Sequence, residues 1–135
     1  MTTPGAGLLD TSVFIARETG RRLEELPEHV AVSVVTIGEL QLGVLSTDDA
    51  AARARRADTL ALARTADPIP VSEPVMVAWA RLVADCRAAG VQRAVKLTDA
   101  LIAASAVEHG LPVVTQDDDY DRLSRAHPPL RVIKV

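Results

Sequence analysis

The stretch KLTDALIAASA, residues 96–106, places one carboxylate at the head of a run of small and apolar side chains. After Asp99 that run contains only Ala, Leu, Ile and Ser105. Thr98 is a residue type that often caps a helix, so the stretch predicts a buried helix that begins here. A carboxylate in the first turn interacts favourably with the helix dipole. Taken alone, the segment favours a simple capping role for Asp99, and a functional role depends on whether other acids lie near it.

The composition is that of one globular domain. The chain has 135 residues, of which 48% are hydrophobic and 24% charged, enough to bury a core without disulfides or a structural metal. We therefore expect a single domain over residues 1–135. Phe14, Trp79 and Tyr120 are the only aromatic residues, so the core should be aliphatic. Their scarcity also argues against a nucleic-acid site made of stacked aromatic rings.

The charge and the single cysteine restrict the class of protein further. A formal net charge of −3 argues against a broad basic surface for nucleic acid, but it allows a local basic rim or a metal-bridged phosphate contact. Cys86 is the only cysteine, and His29, His109 and His127 lack ligand spacing, so we expect neither a disulfide nor a zinc site. These histidines are expected at the surface. With no signal peptide and no apolar run of membrane-spanning length, we expect a cytoplasmic protein without membrane contact.

Strand-type and helix-type segments alternate along the chain. The strand-type segments are residues 8–9, 30–35, 69–71, 113–114 and 130–135. The helix-type segments are residues 16–26, which Pro27 stops and which Gly20 could divide into two pieces, a helix from 36, and residues 47–67, 73–89, 99–109 and 120–126. This alternation predicts right-handed crossovers and a central, mostly parallel sheet covered on both faces. The predicted fold class is therefore α/β, a three-layer α/β/α sandwich.

The helix of residues 73–89 shows the clearest helical spacing. Ser72 should cap its start, and Gly90 should end it. One face carries apolar side chains at helical spacing, namely Val75, Trp79, Leu82 and Cys86. We expect this face in the core, with a partner surface as the less favoured interpretation.

Three strand-type segments lead into an acid. Asp10 follows Leu9 directly, Glu39 lies within one helical turn of Val35, and Asp117 follows the segment of residues 113–114. In a parallel sheet these acids meet Asp99 at the edge formed by the carboxyl ends of the strands. Clustered carboxylates repel one another unless a divalent cation lies between them. Oxygen ligands select Mg²⁺ or Mn²⁺, and such sites hydrolyse phosphodiesters.

Each of these acids has a simpler interpretation. Asp10 could cap a helix or form an Asx turn. Glu39 stands three residues after Thr36, as in a capping box. The run DDDYD of residues 117–121 could be a solvated turn before a helix. Lys96 is a candidate phosphate contact, although a solvated lysine before a cap is the more ordinary role.

Four segments resemble, in order and context, the acidic motifs of PIN-domain ribonucleases, in particular the VapC-type toxins of bacterial toxin–antitoxin pairs. They are LLDTSV (residues 8–13), VVTIGELQLGV (34–44), LTDALIAASA (97–106) and VVTQDDDYDRL (113–123). The resemblance implies a set of catalytic, metal-binding acids: Asp10, Glu39, Asp99 and Asp117. It also implies two polar helpers, Ser12 and Thr115. Where this chain has Asp119 and Tyr120, the last motif commonly reads Asp-Phe, so Asp119 is a rival or partner of Asp117 in the metal site.

The resemblance therefore implies a metal-dependent endoribonuclease with a parallel sheet between helices. We expect it to use Mg²⁺, or Mn²⁺, to hydrolyse RNA of the tRNA or rRNA class, and thereby to inhibit translation and growth. As partners we expect a cognate antitoxin and a homodimer that buries part of the face of Val75, Trp79 and Leu82 or neighbouring apolar surface. The alternative is an inactive PIN-like module that binds RNA or protein. A phosphatase or phospho-acceptor domain fits less well, because Thr11 and Ser12 replace the Asp-x-Asp pair expected after the first strand.

Overall fold

A parallel sheet forms the centre of the structure, a computed structural model that describes residues 5–91, 93 and 95–135. Its strands are β1 (Ala6–Leu9), β2 (His29–Val32), β3 (Val113–Thr115) and β4 (Val132–Lys134). They lie in the order β2-β1-β3-β4, and all three pairs are parallel. The predicted parallel sheet is confirmed, with β1 and β3 at its centre.

Helices cover both faces of this sheet. They are α1 (Thr11–Glu18), α2 (Val34–Leu45), α3 (Ala50–Arg64), α4 (Glu73–Ala88), α5 (Leu97–Glu108) and α6 (Asp119–Ala126). Side chains alternate along β1, so Leu8 packs into the core formed with α4, α5 and α6, whereas Leu9 packs into the core formed with α1, α2 and α3. The three-layer α/β/α class is therefore confirmed. Within the described ranges, no helix combines the length and the apolar character needed to cross a membrane.

The centre of the sheet allows little extra volume at Gly7. A Cβ atom there would lie 2.5 Å from Val114 Cγ2 and 3.1 Å from Pro27 Cγ. Pro27 is thus held against β1, where it closes the connection that leads from α1 to β2. Val114 and Pro27 together leave no room for a side chain at Gly7, and Val114 makes the closer contact.

Helix α4 matches its prediction. Ser72 caps it by accepting a hydrogen bond from the Val75 N–H at 3.4 Å, and Gly90, just beyond the end of the helix, has φ 74°. Val75, Leu82 and Cys86 are buried against the rest of the chain. Val75 and Leu82 are already fully covered within the chain, so of the face expected to take part in a homodimer only the half-buried Trp79 and the neighbouring apolar surface remain accessible.

Helix α1 is shorter than the helix predicted over residues 16–26. It starts at Thr11 and ends at Glu18. Gly20 then adopts φ 73°, and residues 21–28 form neither helix nor strand. The left-handed backbone at Gly20 redirects the chain, so the charged residues after it do not extend the helix.

The predicted strand of residues 30–35 divides into a strand and the start of a helix. β2 ends at Val32, and the Ser33 hydroxyl accepts a hydrogen bond from the Val35 N–H at 3.0 Å, which caps α2. This cap overrides the β-branched character of the valines that follow it. Because β2 is an edge strand, Val30 is 42% exposed, so the predicted burial of the strand is wrong there. Ile69 forms only an isolated bridge to Ser33 in place of the predicted strand of residues 69–71.

Two other expectations are wrong. Lys96 occupies the cap position of α5, and the helix begins at Leu97, so Thr98 lies inside its first turn and does not cap it. His127 is not a surface residue: it is 5% exposed, and its Nδ1 lies 2.6 Å from Asp85 Oδ2. This pair joins α4 to the segment that follows α6.

Candidate functional site

The predicted acids lie near one edge of the sheet. Asp10 comes directly after β1, and Asp117 comes two residues after β3. Since β1 and β3 are parallel neighbours, both acids lie at the carboxyl ends of central strands. Asp99 and Asp119 lie in the first turns of α5 and α6. The fold therefore brings acids from opposite ends of the chain together.

The Asp10 carboxylate is buried and held at both oxygens. The side chain of this residue caps α1, accepting a hydrogen bond from the Ser12 N–H at 3.3 Å at Oδ2. The Thr115 hydroxyl donates to the same oxygen at 2.9 Å, and the Tyr120 hydroxyl donates to Oδ1 at 2.9 Å. With a residue exposure of 3%, Asp10 has one fixed orientation. The capping interpretation is thus confirmed, and the same carboxylate also contacts two other segments.

The Thr115 hydroxyl connects Asp10 to the loop that carries Asp117. Its single hydrogen goes to Asp10, so it accepts hydrogen bonds from the Asp117 N–H at 2.9 Å and from the Ser12 hydroxyl at 3.1 Å. Ser12 Oγ in turn accepts the Gln116 N–H at 3.0 Å. The two predicted polar helpers therefore form one network beneath the acids.

Three carboxylates form a tighter group. Asp99, Asp117 and Asp119 each offer one oxygen, and these oxygens all lie within 4.8 Å of one another. The Asp119 N–H donates to Asp117 Oδ1 at 3.0 Å, which fixes the turn between them. Both candidates for the last acid are in this group, so the geometry does not select one over the other.

The acidic run of residues 117–121 divides between two surroundings. Asp118 and Asp121 are not members of the group and pair with Lys134, with Asp121 Oδ2 at 3.2 Å from its Nζ. The hydrogen bond and charge of Lys134 lower the pKa of Asp118 below its usual value. Asp118 is thus the member of the run that the solvated-turn interpretation describes correctly.

Burial and neighbouring negative charge act together on Asp99. Burial, followed by the charges of Asp10, Asp117 and Glu39, raises the pKa of Asp99 to about 6, against a smaller opposing effect of Lys96. Near neutral pH the ionised Asp99 carboxylate therefore lowers the free energy of unfolding.

The Tyr120 phenol experiences the same field. Burial, followed by the charges of Asp10 and Asp99, raises the pKa of Tyr120 far above its ordinary value. Its hydroxyl therefore keeps its proton and donates it to Asp10 in the shorter of its two contacts.

Glu39 contacts Thr11, the residue after Asp10. Thr11 Oγ1 donates to Glu39 Oε1 at 2.7 Å, and since its one hydrogen is used there, the Thr36 hydroxyl donates to Thr11 at 2.9 Å. Thr36 is buried inside α2, whose cap is Ser33, so the capping box predicted for Thr36 and Glu39 is wrong. The Glu39 carboxylate is separate from the group of Asp99, Asp117 and Asp119, although its charge affects Asp99.

The chemistry of this group fits a divalent cation. All three donors are carboxylate oxygens, and they are close enough together to repel one another strongly without a cation or a proton between them. Hard oxygen donors without nitrogen or sulfur suit Mg²⁺ or Mn²⁺ better than zinc or copper. The residues present are therefore compatible with a metal centre.

Comparison with known proteins agrees with this geometry. A family profile of the PIN domain matches residues 7–126. Ribonuclease VapC8 of Mycobacterium tuberculosis is 76% identical over 102 residues, which cover 76% of this chain and 91% of that protein. The chain belongs to the VapC family of PIN-domain ribonucleases. Ribonuclease VapC5 of the same organism is 46% identical over 136 residues, 99% of this chain and 98% of that protein.

A solved structure supports the VapC fold over the whole chain. The crystal structure of VapBC-5, a member of the VapBC family of toxin–antitoxin systems from Mycobacterium tuberculosis, aligns with a TM-score of 0.88 at 40% identity. The alignment covers 98% of this chain and 100% of that chain. The described architecture is therefore that of a VapC protein.

Sequence reasoning missed three hydroxyl groups of this VapC site. From the sequence, Thr11 has no assigned role in the site, Thr36 is only the start of a capping box, and Tyr120 is only a departure from the common motif. One signal was available for Tyr120, because a buried tyrosine hydroxyl needs a polar partner. The contacts of Thr11 and Thr36 join residues 25 apart, which no local pattern indicates.

Proposed function

We propose that this VapC-family chain is the toxin of a toxin–antitoxin pair and an endoribonuclease. It hydrolyses phosphodiester bonds of RNA of the tRNA or rRNA class in the cytoplasm, and so inhibits translation and growth. The observation that carries the proposal is the group of carboxylate oxygens of Asp99, Asp117 and Asp119 within 4.8 Å. The names of the relatives, ribonucleases VapC8 and VapC5, support the type of reaction. We propose one domain for residues 1–135.

We propose Mg²⁺, replaceable by Mn²⁺, as the cofactor. Asp99, Asp117 and Asp119 would hold it directly or through water, and Asp10 would complete the site from its buried position. When bound, the cation lowers the pKa of a water molecule and neutralises charge that develops on the phosphate.

Hydrogen bonds from neighbouring side chains hold the acids of this site in place. Thr115 donates to Asp10 and accepts from the Asp117 N–H, so it fixes the distance between a buried acid and a half-buried one. Ser12 holds the Gln116 N–H at the turn between Thr115 and Asp117. Glu39 adds negative charge at Asp99, and we propose that it acts as an outer acid of the site. Catalytic groups held in this way need little rearrangement when substrate binds.

A groove beside the acids is a candidate surface for the antitoxin. It runs between α1, α2 and α3 and is lined by Ile15, Glu39, Leu40, Gly43 and Arg56. Ile15 is 50% exposed, which is unusual for an isoleucine and favours an apolar partner helix. The VapBC-5 structure is described as a toxin–antitoxin system, which supports this partner class. We also propose a homodimer, to be checked by light scattering at micromolar concentration.

Cleavage of RNA by the purified protein tests the proposal. We expect cleavage with Mg²⁺, none after EDTA, and at least about a hundredfold loss in Asp10→Asn. Asp58→Asn is the matched control, because Asp58 is an exposed acid on α3 that does not belong to the group of Asp99, Asp117 and Asp119. Circular dichroism of each variant reports whether it folds.

Two results would contradict the proposal. Wild-type cleavage by a folded Asp10→Asn variant would remove Asp10 from the site. RNA binding by the wild-type protein without any Mg²⁺-dependent product would favour the alternative, an inactive binding module.

A further inference from the structure

The Tyr120 hydroxyl lies between two acids that belong to different segments. Tyr120 is fully buried, and its ring packs in the core formed with α4, α5 and α6. Its oxygen lies 2.9 Å from Asp10 Oδ1 and 3.4 Å from Asp99 Oδ1. The other Asp10 oxygen is already bound by the Thr115 hydroxyl. Tyr120 therefore supplies the side-chain hydrogen at Oδ1, the Asp10 oxygen that Thr115 does not contact.

The single hydrogen of the phenol decides how the two contacts differ. The phenol donates its hydrogen to Asp10 Oδ1 at 2.9 Å. The contact with Asp99 Oδ1 is longer, 3.4 Å, so Asp99 faces the phenol oxygen. Asp10 thus keeps one orientation, and Asp99 is kept at a set distance from it by a polar group. A phenylalanine at this position would face both carboxylates with an apolar ring edge.

We propose that Tyr120 is a positioning residue of the metal centre, whose hydroxyl orients Asp10 and sets its spacing from Asp99 so that a divalent cation binds more tightly. This inference rests on the proposed function, because it concerns the same metal site. Outer hydrogen bonds of this kind orient the carboxylates that hold a metal, and their loss typically lowers metal affinity about 10- to 100-fold. The hydroxyl touches neither RNA nor the cation in this role, so its effect is carried by Asp10 and Asp99.

Mn²⁺ binding measured by electron paramagnetic resonance tests the role without RNA. Tyr120→Phe removes one oxygen and keeps the ring, and we expect it to weaken Mn²⁺ binding about tenfold. The matched control is Ser105→Ala, which removes another buried hydroxyl of the same core, one that donates to the Leu101 carbonyl at 2.9 Å. We expect the control to bind Mn²⁺ as the wild-type protein does. Equal affinity in wild type and Tyr120→Phe would overturn the inference.

A second measurement keeps the inference testable if Tyr120→Phe does not fold. Tyr120 is the only tyrosine of the chain, so protein labelled with 3-fluorotyrosine gives one fluorine resonance. We expect this resonance to shift on Mg²⁺ titration with the same midpoint as Mg²⁺ binding measured by calorimetry. A resonance that stays in place while Mg²⁺ binds would overturn the role of Tyr120 alone. Failure of the wild-type protein to bind either cation would overturn the proposed metal site together with this inference.

Discussion

Asp99→Asn is expected to stabilise the metal-free protein while it abolishes metal-dependent cleavage. The substitution keeps the shape of the side chain and removes its charge. The folded protein raises the pKa of Asp99 from 3.8 to about 6 through burial and the charges of Asp10, Asp117 and Glu39. One pKa unit corresponds to about 1.4 kcal/mol, so the ionised carboxylate costs about 3 kcal/mol of folding free energy above pH 6.

The sign of this effect determines its dependence on pH. Because the folded-state pKa is the higher one, the folded protein binds more protons than the unfolded chain between pH 3.8 and about 6. Stability contributed by protonated Asp99 is present below this window and is lost as the pH rises through it. After allowing for solvent at the half-buried acids, we expect Asp99→Asn to gain about 2 kcal/mol at pH 8. Near pH 4 the gain should almost vanish.

Urea denaturation in EDTA measures the difference in free energy of unfolding between Asp99→Asn and wild type at pH 8 and at pH 4. Thermal denaturation measures the corresponding difference in melting temperature. A gain of about 2 kcal/mol should raise the melting temperature at pH 8 by about 6–8 °C for a domain of this size. Asp58→Asn, which neutralises an exposed acid, should stay within about 0.5 kcal/mol of wild type at both pH values. Mg²⁺ should reverse the order by stabilising wild type alone. An Asp99→Asn variant as stable as wild type at pH 8, or equally stabilised at pH 4, would refute the reasoning.

Two further substitutions test how the site and the sheet are held. Thr115→Val should lower the free energy of unfolding measured in urea by about 2–3 kcal/mol. The substitution leaves the Asp117 N–H without its acceptor and buried Asp10 without one of its hydrogen-bond donors. A loss below the error of the measurement would contradict this. Gly7→Ala should cost about 1–3 kcal/mol, since its Cβ would lie 2.5 Å from Val114 Cγ2. Gly5→Ala is its control, because nothing lies within 4 Å of a Cβ at Gly5, and equal stability of the two variants would exclude the close contact as the cause.

The architecture was accessible from the sequence because it depends on local patterns. Alternation of strand-type and helix-type segments leads to a parallel sheet, and a parallel sheet collects the residues that follow its strands at one edge. Asp10 and Asp117 could be placed in this way without any knowledge of their contacts. Asp99 could be added because its segment was predicted to be a buried helix.

The finer contacts of the site were not accessible because they depend on residues far apart in the chain. Whether Val34 and Val35 are strand or helix depends on the Ser33 cap, which competes with their β-branched character. Glu39 has the spacing of a capping box with Thr36, yet both side chains contact Thr11. The hydroxyl of Tyr120 reaches Asp10 across 110 positions of sequence. No pattern within one helix or strand reports such a contact.

The separation of these residues also determines when the site can exist. Asp10 is made before its partners, because the hydrogen bonds to its carboxylate come from Thr115 and Tyr120, 105 and 110 positions later. At about 5–20 residues per second, synthesis leaves Asp10 without these partners for roughly 5–20 s. β1, the strand that precedes Asp10, likewise lacks its neighbour β3 until residues 113–115 have been synthesised. During translation the ribosome is therefore exposed to a complete acidic site only after Thr115 and Tyr120 have been synthesised.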